Sequence, residues 1–206
     1  MIMTPAKTSP MLTAALLFLI FAVAQVRAGQ ATEEIRATTD RVLALLNNPG
    51  LQGDAKKSER HHLIRKEIDA RFNWPEAARG SLGRHWLKLT PGQQKEFVGL
   101  FSEFLERTYL DKFDTYYVNV EHIDYQGEKI IQDHASVRVV MHTKAKLEHP
   151  VEYRLEKSSG DWRIYDTLIE GVSMVKNYRD QFDAIIARSS YEELIKELRN
   201  KLDANQ

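Results

Sequence analysis

Residues 135–142 read Ala135-Ser136-Val137-Arg138-Val139-Val140-Met141-His142, and their alternation decides the fold. Ala135, Val137, Val139 and Met141 fall on one side of an extended chain, with Ser136, Arg138 and His142 on the other. The segment is therefore a strand with one covered and one wetter face. The same period of two appears on either side of it. Upstream, from Thr115, Val118 and Val120 alternate with Asn119 and Glu121. Downstream, Val151, Tyr153 and Leu155 alternate with Glu152, Arg154 and Glu156. Ser158-Ser159-Gly160-Asp161 reads as a turn and residues 162–169 as a fourth strand. The connections are short, which favours an antiparallel meander.

Outside this block the period is helical. Residues 32–46 place Ile35, Val42, Leu45 and Leu46 on one face, and Asn47-Asn48-Pro49-Gly50 stops the helix. Residues 54–71 carry Leu63, Ile64 and Ile68. Phe72-Asn73-Trp74-Pro75 breaks that helix, and Pro75 starts a short one holding Ala77, Ala78 and Leu82. Thr90-Pro91-Gly92-Gln93 combines a Thr N-cap, a first-turn Pro and a Gln that closes a capping box. The helix it opens is expected to reach about Tyr109, with Phe97, Leu100, Phe101, Phe104 and Leu105 as a broad stripe. After Glu170-Gly171, with Ser173 as candidate N-cap, Met174, Val175, Tyr178, Phe182, Ile185 and Ile186 form another. Ser190 and Glu193 make a further capping box ahead of Leu194, Leu198 and Leu202. The expected fold is α+β: a curled four-stranded antiparallel sheet covered on one face by N- and C-terminal helices.

At the N-terminus, Lys7 precedes an uncharged apolar run, residues 11–24, followed by Val26-Arg27-Ala28. A spanning helix needs roughly 20 apolar residues, so this pattern reads as a signal peptide cleaved near Ala28, with Ala22-Val23-Ala24 as a second cleavage candidate. The expectation is an exported, soluble protein of one domain, residues 29–206, or 206 − 28 = 178 residues. The chain carries 29 basic and 29 acidic residues. Removing Lys7 and Arg27 leaves 27 − 29 = −2. That balance gives no basic footprint for nucleic acid and no charge-driven adhesion to anionic lipid. Cys is absent, so disulfides, thiolate metal sites and a lipoprotein anchor are excluded.

No glycine-rich phosphate loop, nucleophile elbow or metalloprotease helix is present. His61 and His62 are adjacent on a helix and cannot share a ligand. His134 and His142 share strand parity with Arg138 and Lys144, which reads as a solvated face, so no metal site is expected. Asp166 has the parity of Trp162, Ile164 and Leu168, which points a carboxylate into an apolar layer. It is either a general base with a raised pKa or a carboxylate bonded to backbone amides or Arg179 that pins the strand to the next helix. The bulky helical stripes are either a filled core or the lining of a cavity, and periodicity does not separate the two.

Two segments carry a resemblance. The first is Arg71-Phe72-Asn73-Trp74-Pro75-Glu76-Ala77-Ala78-Arg79-Gly80-Ser81-Leu82-Gly83-Arg84-His85-Trp86, continuing through Leu89-Thr90-Pro91 and Gln94 to Phe97 and ending with Leu105-Glu106-Arg107-Thr108-Tyr109. The second is Trp162-Arg163-Ile164-Tyr165-Asp166, then Glu170-Gly171-Val172-Ser173-Met174, Asn177-Tyr178-Arg179 and Gln181-Phe182. Together they resemble the MlaC family, periplasmic phospholipid-binding components long labelled toluene-tolerance auxiliary proteins. The resemblance implies a non-catalytic shuttle without a cofactor that holds lipid tails in a hydrophobic tunnel between sheet and helices. It implies an inner-membrane ABC transporter with an MCE-domain protein and an outer-membrane lipoprotein complex as partners, and leaves phospholipid and hopanoid cargo open. A monomer is expected. On this reading Phe97, Leu100, Phe101, Phe104, Val139, Met141, Ile164 and Leu168 line the tunnel with Val175 and Phe182. Val172, Met174 and Tyr178 lie at its mouth, and His85 packs or hydrogen-bonds a turn.

Overall fold

The computed structural model describes residues 29–116 and 119–204, with 111–116 described in backbone alone. The signal-peptide reading of residues 1–28 and the placement of Val118 lie outside the described residues. Helices α1 (Gln30–Leu46), α2 (Asp54–Arg71), α3 (Trp74–Leu82) and α4 (Pro91–Tyr116) precede the sheet. Strands β1 (Val120–Ile131), β2 (His134–Thr143), β3 (Glu148–Ser158), β4 (Asp161–Ile169) and β5 (Val172–Ser173) follow. Helices α5 (Met174–Arg188) and α6 (Tyr191–Ala204) close the chain.

The helix starts are those that local chemistry dictates. At α3 the Asn73 side chain accepts from the Glu76 amide at 3.2 Å, with Pro75 in the first turn. At α4 the capping box is reciprocal: Thr90 Oγ1 accepts from the Gln93 amide at 3.3 Å, and Gln93 Oε1 accepts from the Thr90 amide at 2.9 Å. Ser190 Oγ accepts from the Glu193 amide at 3.2 Å at the start of α6. One boundary differs from expectation. Helix α4 runs on to Tyr116, past the expected end near Tyr109 and through Thr115, where the sequence alternation begins. Nothing between Thr108 and Tyr116 breaks a helix, and the β-propensity of Thr115 and Tyr116 does not override an established one.

The sheet order is β1-β2-β3-β4-β5, antiparallel at each step. The fifth strand, two residues long, is too short to leave a periodic signal. The β3–β4 turn has Ser159 at φ 53° and Gly160 at φ 96°, the paired left-handed conformation that matches the twist of a tight hairpin. Register shifts at Val120/His122 and Tyr125/Gly127 against β2, and at Arg154/Leu155 against β4, curl the sheet.

The last of these shifts corrects a sequence reading. Leu155 faces Ile164, yet Arg154 faces Asp166, so Tyr165 is an extra residue in β4. Directly paired residues share a face, so Ile164 and Asp166 lie on opposite faces despite their even spacing. Trp162 and Ile164 join the inner apolar face, whereas Asp166 and Leu168 leave it.

Three apolar clusters result. Helices α3, α4, α5 and α6 enclose one, around Phe97, Phe101, Tyr178 and Phe182. The inner sheet face, with Val137, Val139, Met141, Leu155 and Ile164, packs on Ala31 and Ile35 of α1. A smaller group joins Val42 and Leu46 of α1 to Ile64 and Leu110. Among the described residues no helix is long and apolar enough to cross a membrane.

Candidate functional site

Two apolar surfaces form separate clusters, and a polar clamp ties the helices to the sheet beside them. The helical surface is aromatic. Phe97 and Phe101 stack with centroids 5.6 Å apart, and Phe182 meets them edge-on at 5.9 and 5.8 Å. Tyr178 closes the group, edge-on to Phe101 at 5.7 Å and to Phe104 at 5.5 Å. Such edge-to-face packing adds roughly 0.5–1.5 kcal/mol per pair to simple burial. Burial, with Tyr109 alongside, keeps the Tyr178 phenol protonated far above its ordinary range. The sheet surface is aliphatic and belongs to a separate cluster. Among the described residues α4 packs chiefly on α3 and α6, while α3 and α5 reach the sheet at β4 and α1 covers its inner face.

The clamp is built by the two segments that carried the family resemblance. The Asn73 amide donates to the Ile164 carbonyl at 2.7 Å, and Phe72 bridges Ile164. Arg71 donates to the Trp162 carbonyl at 2.7 Å and to Thr38 Oγ1 at 3.1 Å, and pairs with Glu34. Glu34 in turn accepts from the Trp162 amide at 3.1 Å. Segments some ninety residues apart in sequence thus fix the end of α2 to β4.

The expected lining residues fall in three places. Phe97, Phe101, Phe104, Val175, Tyr178 and Phe182 are buried in the helical cluster, with Leu100 and Met174 half-buried at its margin. Val139, Met141 and Ile164 are buried on the inner sheet face. Leu168 and Val172 line a surface pocket of about 520 Å³ of mixed lining, with Arg154, Asp166, Lys176 and Arg179, and Val172 is 63% exposed. The missed signal is the extra residue at Tyr165, which neither Gly nor Pro announces.

Asp166 itself is buried and fully engaged. The Val175 amide donates to Oδ1 at 3.0 Å, Ser173 Oγ donates to Oδ2 at 2.6 Å, and an Arg154 guanidinium nitrogen lies 3.5 Å from Oδ2. Ser173 Oγ also accepts from the Lys176 amide at 3.0 Å, which makes it the N-cap of α5. Of the two readings offered by the sequence, this geometry is the pin from strand to helix, made through the Val175 backbone amide and the Ser173 hydroxyl, with the added ion pair to Arg154 of β3 and not to Arg179. His85 takes a comparable role: its Nε2 lies 2.7 Å from Asp183 Oδ1, which Arg84 also reaches at 2.7 Å. The hydrogen bond from His85, with the charge of Arg84, holds the Asp183 carboxyl below the usual range. Sequence reasoning also missed the meeting of His122, Asp124 and His142 on the other sheet face, because the pairing of β1 with β2 is a tertiary fact.

The MlaC family model, described as "MlaC protein", matches residues 36–200. A curated relative, the intermembrane phospholipid transport system binding protein MlaC of Haemophilus influenzae, is 22% identical over 138 residues, 65% of this chain. The match spans 64% of that relative's length. A phospholipid-binding protein from Ralstonia solanacearum, solved in complex with a phospholipid, is similar at 25% identity and a TM-score of 0.75. The likeness covers 86% of this chain and 99% of that one.

Proposed function

Because this chain belongs to the MlaC family, we propose that it is a non-catalytic periplasmic shuttle that carries phospholipid between the outer membrane and an inner-membrane ABC transporter bearing an MCE-domain protein. The observation that carries the reading is the likeness of nearly the whole described fold to a protein solved with a phospholipid bound. An outer-membrane lipoprotein complex would load or unload it at the far side. The exported form begins near residue 29 and acts as a monomer.

The two apolar clusters supply the physical means. Acyl chains enter along the boundary between the aromatic stripe of α4 and α5 and the inner face of the sheet, parting surfaces that otherwise pack separately. Each methylene withdrawn from water contributes about 0.8 kcal/mol, so two chains are held strongly without any contact to the head group. The same strength makes spontaneous release slow, and a partner that favours the closed state must empty the carrier. Phe97, Phe101, Phe104, Tyr178 and Phe182 on one side, and Val139, Met141 and Ile164 on the other, are the walls that would move.

The test is to purify the protein from the envelope of an expressing bacterium, extract it with organic solvent and identify the lipid by mass spectrometry. Uptake from labelled phospholipid vesicles is measured alongside. Phospholipid in the extract and transfer from vesicles are expected. Neither co-purifying lipid nor uptake would overturn the reading, and a hopanoid in the extract would overturn the choice of cargo.

A further inference from the structure

On the outer face of the sheet, opposite its inner apolar cluster, three metal-ligating side chains converge. His122 of β1 lies directly across from His142 of β2, and Asp124 stands two residues along β1 on the same face. The register shift between Val120 and His122 sits immediately before this group, where a bulge re-aims the side chain that follows. One ligand atom from each residue lies within 4.8 Å of the other two. Asp124 Oδ2 is 3.0 Å from His142 Nε2, and Asp124 Oδ1 is 3.8 Å from His122 Nε2. The two imidazoles are stacked with centroids 4.2 Å apart and planes 6° apart, and because each ring's lone pair lies in its own plane, the rings must tilt toward each other to share one ion.

We infer that His122, Asp124 and His142 form a binding site for a divalent transition-metal ion of the zinc type. A tetrahedral ion with bonds of about 2.1 Å holds its ligands about 3.4 Å apart, so the three groups, now within 4.8 Å of one another, close on an ion by side-chain rotation alone. Two imidazoles with one carboxylate suit zinc, nickel or copper and do not suit magnesium, which asks for an octahedral shell of oxygens. The fourth position opens to solvent and takes water.

A further contact prepares His142 for this role. Its Nδ1 faces Glu148 Oε1 at 3.6 Å across the β2–β3 pairing. A carboxylate on that side favours the proton on Nδ1 and leaves the Nε2 lone pair for the ion, the usual support of a metal-bound histidine. His142 is the least exposed of the three, so it is the best anchored. The ion would tie edge strand β1 to β2 and neutralise an otherwise solvated carboxylate.

Calorimetric titration of the purified protein with zinc chloride tests the site, with magnesium chloride as the hard-cation control. One saturable zinc site per chain is expected, none for magnesium, and a rise in melting temperature that EDTA reverses. Glu148→Gln should weaken zinc binding by about 10-fold, as loss of such a support does elsewhere, and the double variant His122→Gln/His142→Gln should abolish it. All three positions are on the surface, so the variants are expected to fold as the parent does. Absence of saturable zinc binding, or unchanged binding in the double variant, would overturn the inference, the latter by placing the ion at other groups.

Discussion

Asp166 and Ser173 form the tightest polar junction at the start of α5. Ser173 serves two partners with one hydroxyl, donating to Asp166 at 2.6 Å and accepting from the Lys176 amide at 3.0 Å. Ser173→Ala removes the cap and leaves the buried carboxylate with one partner fewer. The expected loss is about 1–2 kcal/mol, read as a lower urea midpoint with the slope unchanged. Equal midpoints would mean that water replaces the hydroxyl at no cost. Val172, one residue earlier, is the opposite case. It is 63% exposed, so Val172→Glu should leave the midpoint within about 0.5 kcal/mol of the parent. Its effect on lipid retention then reports on the route of entry alone, and unchanged lipid content would place the mouth elsewhere.

At the scale of elements, the contact between α3 and α5 depends on an absent side chain. A Cβ on Gly80 would stand 2.8 Å from a Val175 methyl, closer than real contacts allow. Gly80→Leu should therefore push the two helices apart at a cost of about 1–3 kcal/mol or more, seen as a lower melting temperature. A parent-like melting temperature would show that the crossing is loose. Helix α4 contributes the two fully buried rings, Phe97 and Phe101. Phe101→Ala opens a void in a closed aromatic group and should cost the lipid-free protein about 3–5 kcal/mol. A much smaller loss would mean that empty space already lies beside this ring. Measuring lipid retained per folded molecule on the same variant separates a wall of the lipid site from a pillar behind it.

For the molecule as a whole, cargo and stability are linked. Lipid that binds the folded chain and not the unfolded one stabilises it by mass action, by about 2.7 kcal/mol at a free concentration 100 times Kd. The delipidated protein should melt lower than the protein as purified and recover on incubation with phospholipid vesicles. Identical melting curves before and after delipidation would count against a bound cargo. The charge balance is consistent with a carrier that leaves a membrane again, since a strongly basic surface would hold it on anionic lipid.

Local chemistry determined much of this protein. The capping box at Thr90, the Asn73, Ser173 and Ser190 caps and the period-two runs of β2 and β3 are contacts within a few residues, and so they are legible in order along the chain. The likeness of the segments around Arg71–Trp74 and Trp162–Asp166 to one family was legible as well, but not the reason for it. Only the folded chain reveals that Arg71 and Asn73 grip the backbone of β4. The even spacing of Ile164 and Asp166 suggested one face, and a single extra residue at Tyr165 separated them. Which faces oppose each other is likewise decided by the tertiary structure. The aromatic stripe of α4 reads the same whether it meets a sheet or other helices, and here it meets α3, α5 and α6. Periodicity fixes which side of an element is apolar. The partner of that side is chosen by register and by the order of layers, which are properties of pairs of distant segments and are written in neither one alone.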